Sequence, residues 1–179
     1  MGRMTCRFIE THKGDVLYAQ SKSSAPRSRT GYHRPVPTRL RMGLVMRRNM
    51  DFGELGDVEG ALRAEGVGLA PISTGEGSLI AGGVTVLATA TATDIVEGRL
   101  KGLVVPGGLA DEAGLAAVRS LVDLARANGL TVIALANAVS VAAESFGVAA
   151  EAPGAVFKDG GVALLNEGAQ LSKIVSAIV

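Results

Sequence analysis

The chain has 179 residues, 47% of them hydrophobic, and a formal net charge of +1. That length suits one domain with a sizeable core, and no apolar run approaches the roughly 20 residues that span a bilayer. The single cysteine, Cys6, excludes an intramolecular disulfide and any multi-cysteine metal site. With no secretory pattern at the start, a reducing cytoplasm is the expected compartment. Tryptophan is absent and the other aromatics are few, so Val, Ile, Leu and Ala must fill the core, as in layered α/β proteins.

The charge is unevenly spread. Residues 1–42 hold nine Lys or Arg against two acids, and residues 43–179 hold nine against fifteen. Residues 1–41 also lack apolar periodicity and carry the Ser/Arg-rich run SKSSAPRSRT. A disordered basic tail is the expectation. A nucleic-acid or membrane-surface arm, an organelle leader, and translation from Met42 stay open. Cys6 stands where a myristoylation signal would need Ser or Thr.

Met42 to Met46 reads as a first strand. Asp51 is a candidate helix N-cap with Glu54 at capping-box spacing. That helix turns Leu55, Val58, Ala61 and Leu62 inward and stops at Gly66. Glu54 thus falls near the carboxyl edge of the strand. As a simple dipole-stabilising cap it is worth about 0.3–1 kcal/mol. Val67 to Ser73 is a second strand, interrupted by Pro71. The stretch Gly75 to Gly83 has the glycines of a dinucleotide loop in the wrong places, and a strand-like run follows, so a hairpin fits better. Thr85 to Thr91 continues it, and Asp94 to Lys101 leads on.

Leu103 to Phe146 is the centre of the chain. Leu103-Val104-Val105 is a strand buried on both faces, closed by Pro106-Gly107-Gly108. Leu115, Val118, Leu121, Val122, Leu124 and Ala125 recur at helical spacing, and Asn128-Gly129 ends that helix. Leu130 to Leu135 is the next strand. It runs into Ala136-Asn137-Ala138 and an alanine-rich helix. This is a βαβ unit, whose crossover is right-handed and whose ligands bind beyond the carboxyl ends of the strands. Both turns belong at that edge. Asn137 on its own is a plain helix N-cap. The rest reads as a hairpin turning at Asp159-Gly160 and a final helix from about Ala169.

Residues 43–179 contain neither Cys nor His. Cys/His and Ser/His/Asp catalysis is thereby removed, as are thiolate and imidazole zinc sites. No metal and no cofactor is expected. Ser140 and Ser145 follow the second turn, but no base is near them in sequence. Carboxylates, Asn137 and exposed backbone amides remain.

Val104-Val105-Pro106-Gly107-Gly108, then a helix, then Ile133 to Ala138, resembles the ThiJ/PfpI superfamily. The resemblance covers about residues 43–179, and Lys158-Asp159-Gly160 matches the family's C-terminal hairpin. It implies a flavodoxin-like three-layer α/β sandwich with a mainly parallel sheet, of the class I glutamine amidotransferase-like type. It also implies a cysteine nucleophile on a strained elbow and a facing glutamate, here Glu54, twelve residues before Gly66. The nucleophile position is read as Asn137, in place of cysteine. Asn tolerates φ > 0, so it could keep the elbow while removing the thiolate. Val139 stands for the following glycine and Lys101 for an acid before the P-G-G strand, and the family's histidine has no counterpart. The amides of Gly108 and Ala138 correspond by resemblance to oxyanion donors, with Gly107 beside them.

The expectation is therefore a catalytically degenerate ThiJ/PfpI-like protein. It would be a homodimer that binds a small carbonyl or carboxylate ligand in a remnant pocket of Glu54, Gly107, Gly108, Asn137 and Ala138. The alternatives are a hydrolase or glyoxalase-type enzyme using Glu54 and, less favoured, a nucleic-acid-associated protein using the tail.

Overall fold

The computed structural model describes residues 40–165 apart from 51, 76, 82, 109 and 110, and without the side chains of Glu54 and Ala81. The expectations for the tail, for the Asp51 cap and for the last helix lie outside the described residues. The chain divides between Val36 and Pro37, and everything described belongs to the second unit.

The main sheet has six strands in the order β2-β1-β5-β6-β7-β8. They are β1 (Arg41–Val45), β2 (Gly68–Ile72), β5 (Gly102–Val105), β6 (Thr131–Leu135), β7 (Gly154–Lys158) and β8 (Gly161–Leu164). The first four run parallel, and β7 and β8 return antiparallel. Every residue of β5 and β6 is buried, as expected of central strands covered on both faces. The period-2 alternation sorts them. Leu103, Val105, Val132 and Ala134 face one cluster with Phe157 and helices α2 (Ala92–Val96), α3 (Glu112–Ala127) and α4 (Ala138–Phe146). Val104, Ile133, Leu135 and Val156 face the other, with Leu55, Val58 and Leu62 of α1 (Phe52–Ala64). The result is the expected mainly parallel, three-layer α/β sandwich.

Local chemistry explains the boundaries. Gly66 ends α1 with φ 76°, and Asp159 and Gly160 turn the β7–β8 hairpin with φ 48° and 77°, the left-handed pair of a two-residue type I′ turn. Pro71 is no break. It lies in edge strand β2, and its carbonyl faces outward to accept from the N–H groups of Thr89 and Ala90, so its missing N–H leaves the ladder to β1 intact. The segment after β2 forms the expected hairpin, β3 (Ser78–Ala81) with β4 (Val84–Leu87), as a separate antiparallel pair. Its second strand is shorter than Thr85 to Thr91, with an isolated bridge at Ala90.

Helix α2 is held by a cap that the sequence reading overlooked. The Asp94 carboxylate accepts from the Thr91 N–H at 2.8 Å and from Thr91 Oγ1 at 3.0 Å, and also from Arg99. The backbone hydrogen bond from Thr91 is the main cause that holds the Asp94 pKa below the ordinary carboxylate value. Its contribution to stability is therefore complete above the unfolded-state pKa of about 3.9 and disappears as pH falls through the lower folded value. Asp94→Asn should be less stable than the parent at pH 7. Thermal melts of the two should draw together only as pH falls below about 4, through the lowered folded-state value.

Candidate functional site

The carboxyl ends of β1, β5 and β6 meet at one edge, and each sends a turn toward the others. After β5 comes Pro106-Gly107-Gly108. After β6 the chain reverses at Ala136, with φ 45°. Asn137 is already helical, with φ −67° and ψ −8°, and its side chain makes no cap bond to α4. The reading of Asn137 as the positive-φ residue and as a side-chain N-cap is therefore corrected. The strained apex is Ala136, an alanine where strain costs roughly 1–2 kcal/mol. The reason is the ladder. Leu135 pairs with Gly154 in β7, and the Ala136 N–H donates to the Pro153 carbonyl at 2.7 Å, so the chain can turn only at that point.

The Asn137 side chain crosses to the other turn. Its Oδ1 accepts from the Gly108 N–H at 3.2 Å, and its Nδ2 donates to the Gly108 carbonyl at 2.8 Å. The pair is reciprocal, and it takes the Gly108 amide for itself. Gly107 is buried beside it, and Ala138 is fully buried. The structure thus brings Gly107, Gly108, Asn137 and Ala138 together. Glu54 stands in the first turn of α1, and its side chain lies outside the description. Ser140 donates its hydroxyl back to the Asn137 carbonyl at 3.0 Å.

One residue at this edge was missed. Arg47, just past β1, is 4% exposed. Its Nη1 donates to the Pro106 carbonyl at 3.0 Å and to Asn137 Oδ1 at 3.1 Å, and its Nη2 donates to the Gly108 carbonyl at 3.2 Å. One guanidinium thereby ties all three turns. Gly108 permits this approach, because a Cβ there would lie 2.8 Å from the Arg48 carbonyl oxygen and 3.0 Å from Arg47 Cβ. Burial lowers the Arg47 pKa, yet an arginine stays charged. Among the described residues no carboxylate forms an ion pair with it. The doublet Arg47-Arg48 directly after an apolar strand was the available signal.

Beside this network lies a cleft of about 520 Å³. Met46, Arg47 and Arg48 after β1 line it, with Thr74 and Gly75 after β2 and Ser78 and Leu79 of the hairpin. Asp111, Ala113, Gly114 and Val118 of the α3 amino end line it as well. Asp111 caps α3 by accepting from the Gly114 N–H at 2.7 Å. Gly108, Asn137 and Ala138 do not line this cleft. Among the described residues no three His, Cys, Asp or Glu side chains gather as a metal site, and no helix is long and apolar enough to cross a membrane.

No family profile matches the sequence, and no curated protein matches it. Solved structures do match. A Bacteroides thetaiotaomicron protein described as a candidate protease I superposes with a TM-score of 0.60 at 10% identity, over 78% of this chain and 99% of that one. A ThiJ/PfpI domain protein of Brachyspira murdochii gives 0.53 at 13% identity, over 77% and 93%. A DJ-1 superfamily protein of Agrobacterium tumefaciens gives 0.49 at 21% identity, over 59% of this chain, which spans 58% of that protein's length. The chain has the fold of these ThiJ/PfpI and protease I structures.

Proposed function

We propose, from this ThiJ/PfpI fold, that the chain is a member of that superfamily that has lost its catalytic thiol and acts by binding rather than by turnover. The elbow carries the reading. Its apex is Ala136, and a methyl group can neither attack a carbonyl nor be activated to do so. The neighbouring Asn137 amide is an uncharged group committed to Gly108 and Arg47. Residues 43–179 supply no histidine to move a proton. The full chain should leave methylglyoxal unconsumed in a spectrophotometric assay. Turnover that vanishes in Glu54→Ala would overturn this and make Glu54 a general base acting through water.

The same reading includes a homodimer. The β3–β4 hairpin supports it. Ile80 and Leu87 are 73% and 62% exposed, and they lie on one face, since Ile80 pairs with Thr85 and Ser78 with Leu87. Residues 77–87 carry no charge, so this stretch of a second copy of the hairpin meets no like charge from it. Ile80→Glu should convert a dimer to a monomer in light scattering. A parent that is monomeric at every concentration would refute the dimer.

A further inference from the structure

We propose that the cleft between the β3–β4 hairpin and α3 binds a small oxyanion with an apolar body, a carboxylate or a phosphate ester, and that Arg47 holds its head group. This deepens the binding reading above and moves the ligand from the elbow to the neighbouring cleft.

Arg47 carries a charge that no carboxylate among the described residues pairs. A buried cation is ordinarily paired with an anion. Arg47 is nine-tenths buried and more, yet among the described residues its hydrogen-bond partners are two backbone carbonyls and a neutral amide. Those acceptors fix the guanidinium plane without neutralising it. A guanidinium has donors to spare after three bonds. Nε makes none of them, and Arg47 lines the cleft. A preoriented, dry guanidinium at a cavity wall is a carboxylate or phosphate binder.

The cleft sets the rest of the ligand. Its volume is in the range of small-molecule sites. Met46, Leu79 and Val118 supply apolar wall, which suits a short hydrocarbon body. Asp111 is an opposing charge in the lining. It caps α3 through one oxygen, and its charge weakens anion binding.

The test titrates the full chain with acetate, butyrate, hexanoate and inorganic phosphate at constant ionic strength. The Arg47 Nε–Hε resonance is followed by NMR. A saturable shift is expected, with hexanoate binding at least roughly tenfold tighter than acetate as its methylenes leave water. Asp111→Asn keeps a capping oxygen and should tighten binding roughly threefold. Arg47→Met should abolish it; where that variant fails to fold, Asp111→Asn carries the test. Phosphate that competes with hexanoate assigns the head group to phosphate esters, and phosphate that does not assigns it to carboxylates. No saturable shift with any of the four anions, or affinities that Asp111→Asn leaves unchanged, overturns the proposal. Methylglyoxal turnover is measured apart from these anions, so a failed loss of catalysis and a failed cleft give different results.

Discussion

Ala136→Cys, made in a Cys6→Ser background, should give a thiol that iodoacetamide alkylates at least roughly tenfold faster at pH 7 than a thiol at an ordinary exposed site. Position 136 is the turn between β6 and the amino end of α4, where φ is 45°. A helix amino terminus and a nearby arginine both favour a thiolate and draw the pKa from about 8.5 to 7.5 or below. Arg47 is bonded to the side chain of the very next residue. Asn137→Cys is the informative control. It puts sulfur at a position with ordinary helical dihedrals and also deletes the amide that joins Gly108 to Arg47. Its alkylation should follow that of an ordinary exposed thiol. Rates against pH give the two pKa values directly. Equal rates for the two variants would show that the apex no longer activates a nucleophile.

The contrast between those positions shows what could be read from residue order. Strands β5 and β6 were legible because their apolar runs end at turn residues. Helix α3 was legible from its apolar spacing and the Asn128-Gly129 stop, and the last hairpin from Asp159-Gly160. The apex was misplaced by one residue because residue preference favours Asn over Ala at positive φ. Its position is fixed instead by pairing with β7 and by the Pro153 carbonyl, partners about twenty residues away. Arg47 was passed over because a charged residue after a strand usually points to water. It is buried here only because Pro106, Gly108 and Asn137 converge from elements 59, 61 and 90 residues distant. Glu54 and Asn137 were chosen by resemblance. The structure gives Asn137 firm partners and puts Glu54 in the expected turn.

Gly102→Val should cost about 3 kcal/mol or more, read from the midpoint of urea unfolding. Gly102 pairs with Thr131 across the β5–β6 ladder. A Cβ there would sit 2.5 Å from the Thr131 carbonyl oxygen and 2.6 Å from Met42 Cε. The methionine end can swing aside. The carbonyl belongs to the neighbouring strand, and it can give way only if the two central strands separate. Both turns of the site hang from those strands, so the damage reaches Gly108 and Asn137 at the far end. Gly102→Ala meets the same carbonyl with a smaller group, and its loss should lie between those of the parent and the valine. An alanine variant as stable as the parent would mean that the ladder yields more easily than its spacing implies.

The two borders of the main sheet are unequal. Along β2, Pro71 has no N–H to offer, and its carbonyl is already taken by Thr89 and Ala90. A foreign strand approaching there finds too few free groups to zip against. Along β8 all four residues are exposed, with Val162 and Leu164 among them. Among the described residues, templated growth of this sheet, the first step toward fibrils, is opposed at β2. The proline that interrupts the apolar pattern of β2 works as an aggregation gatekeeper.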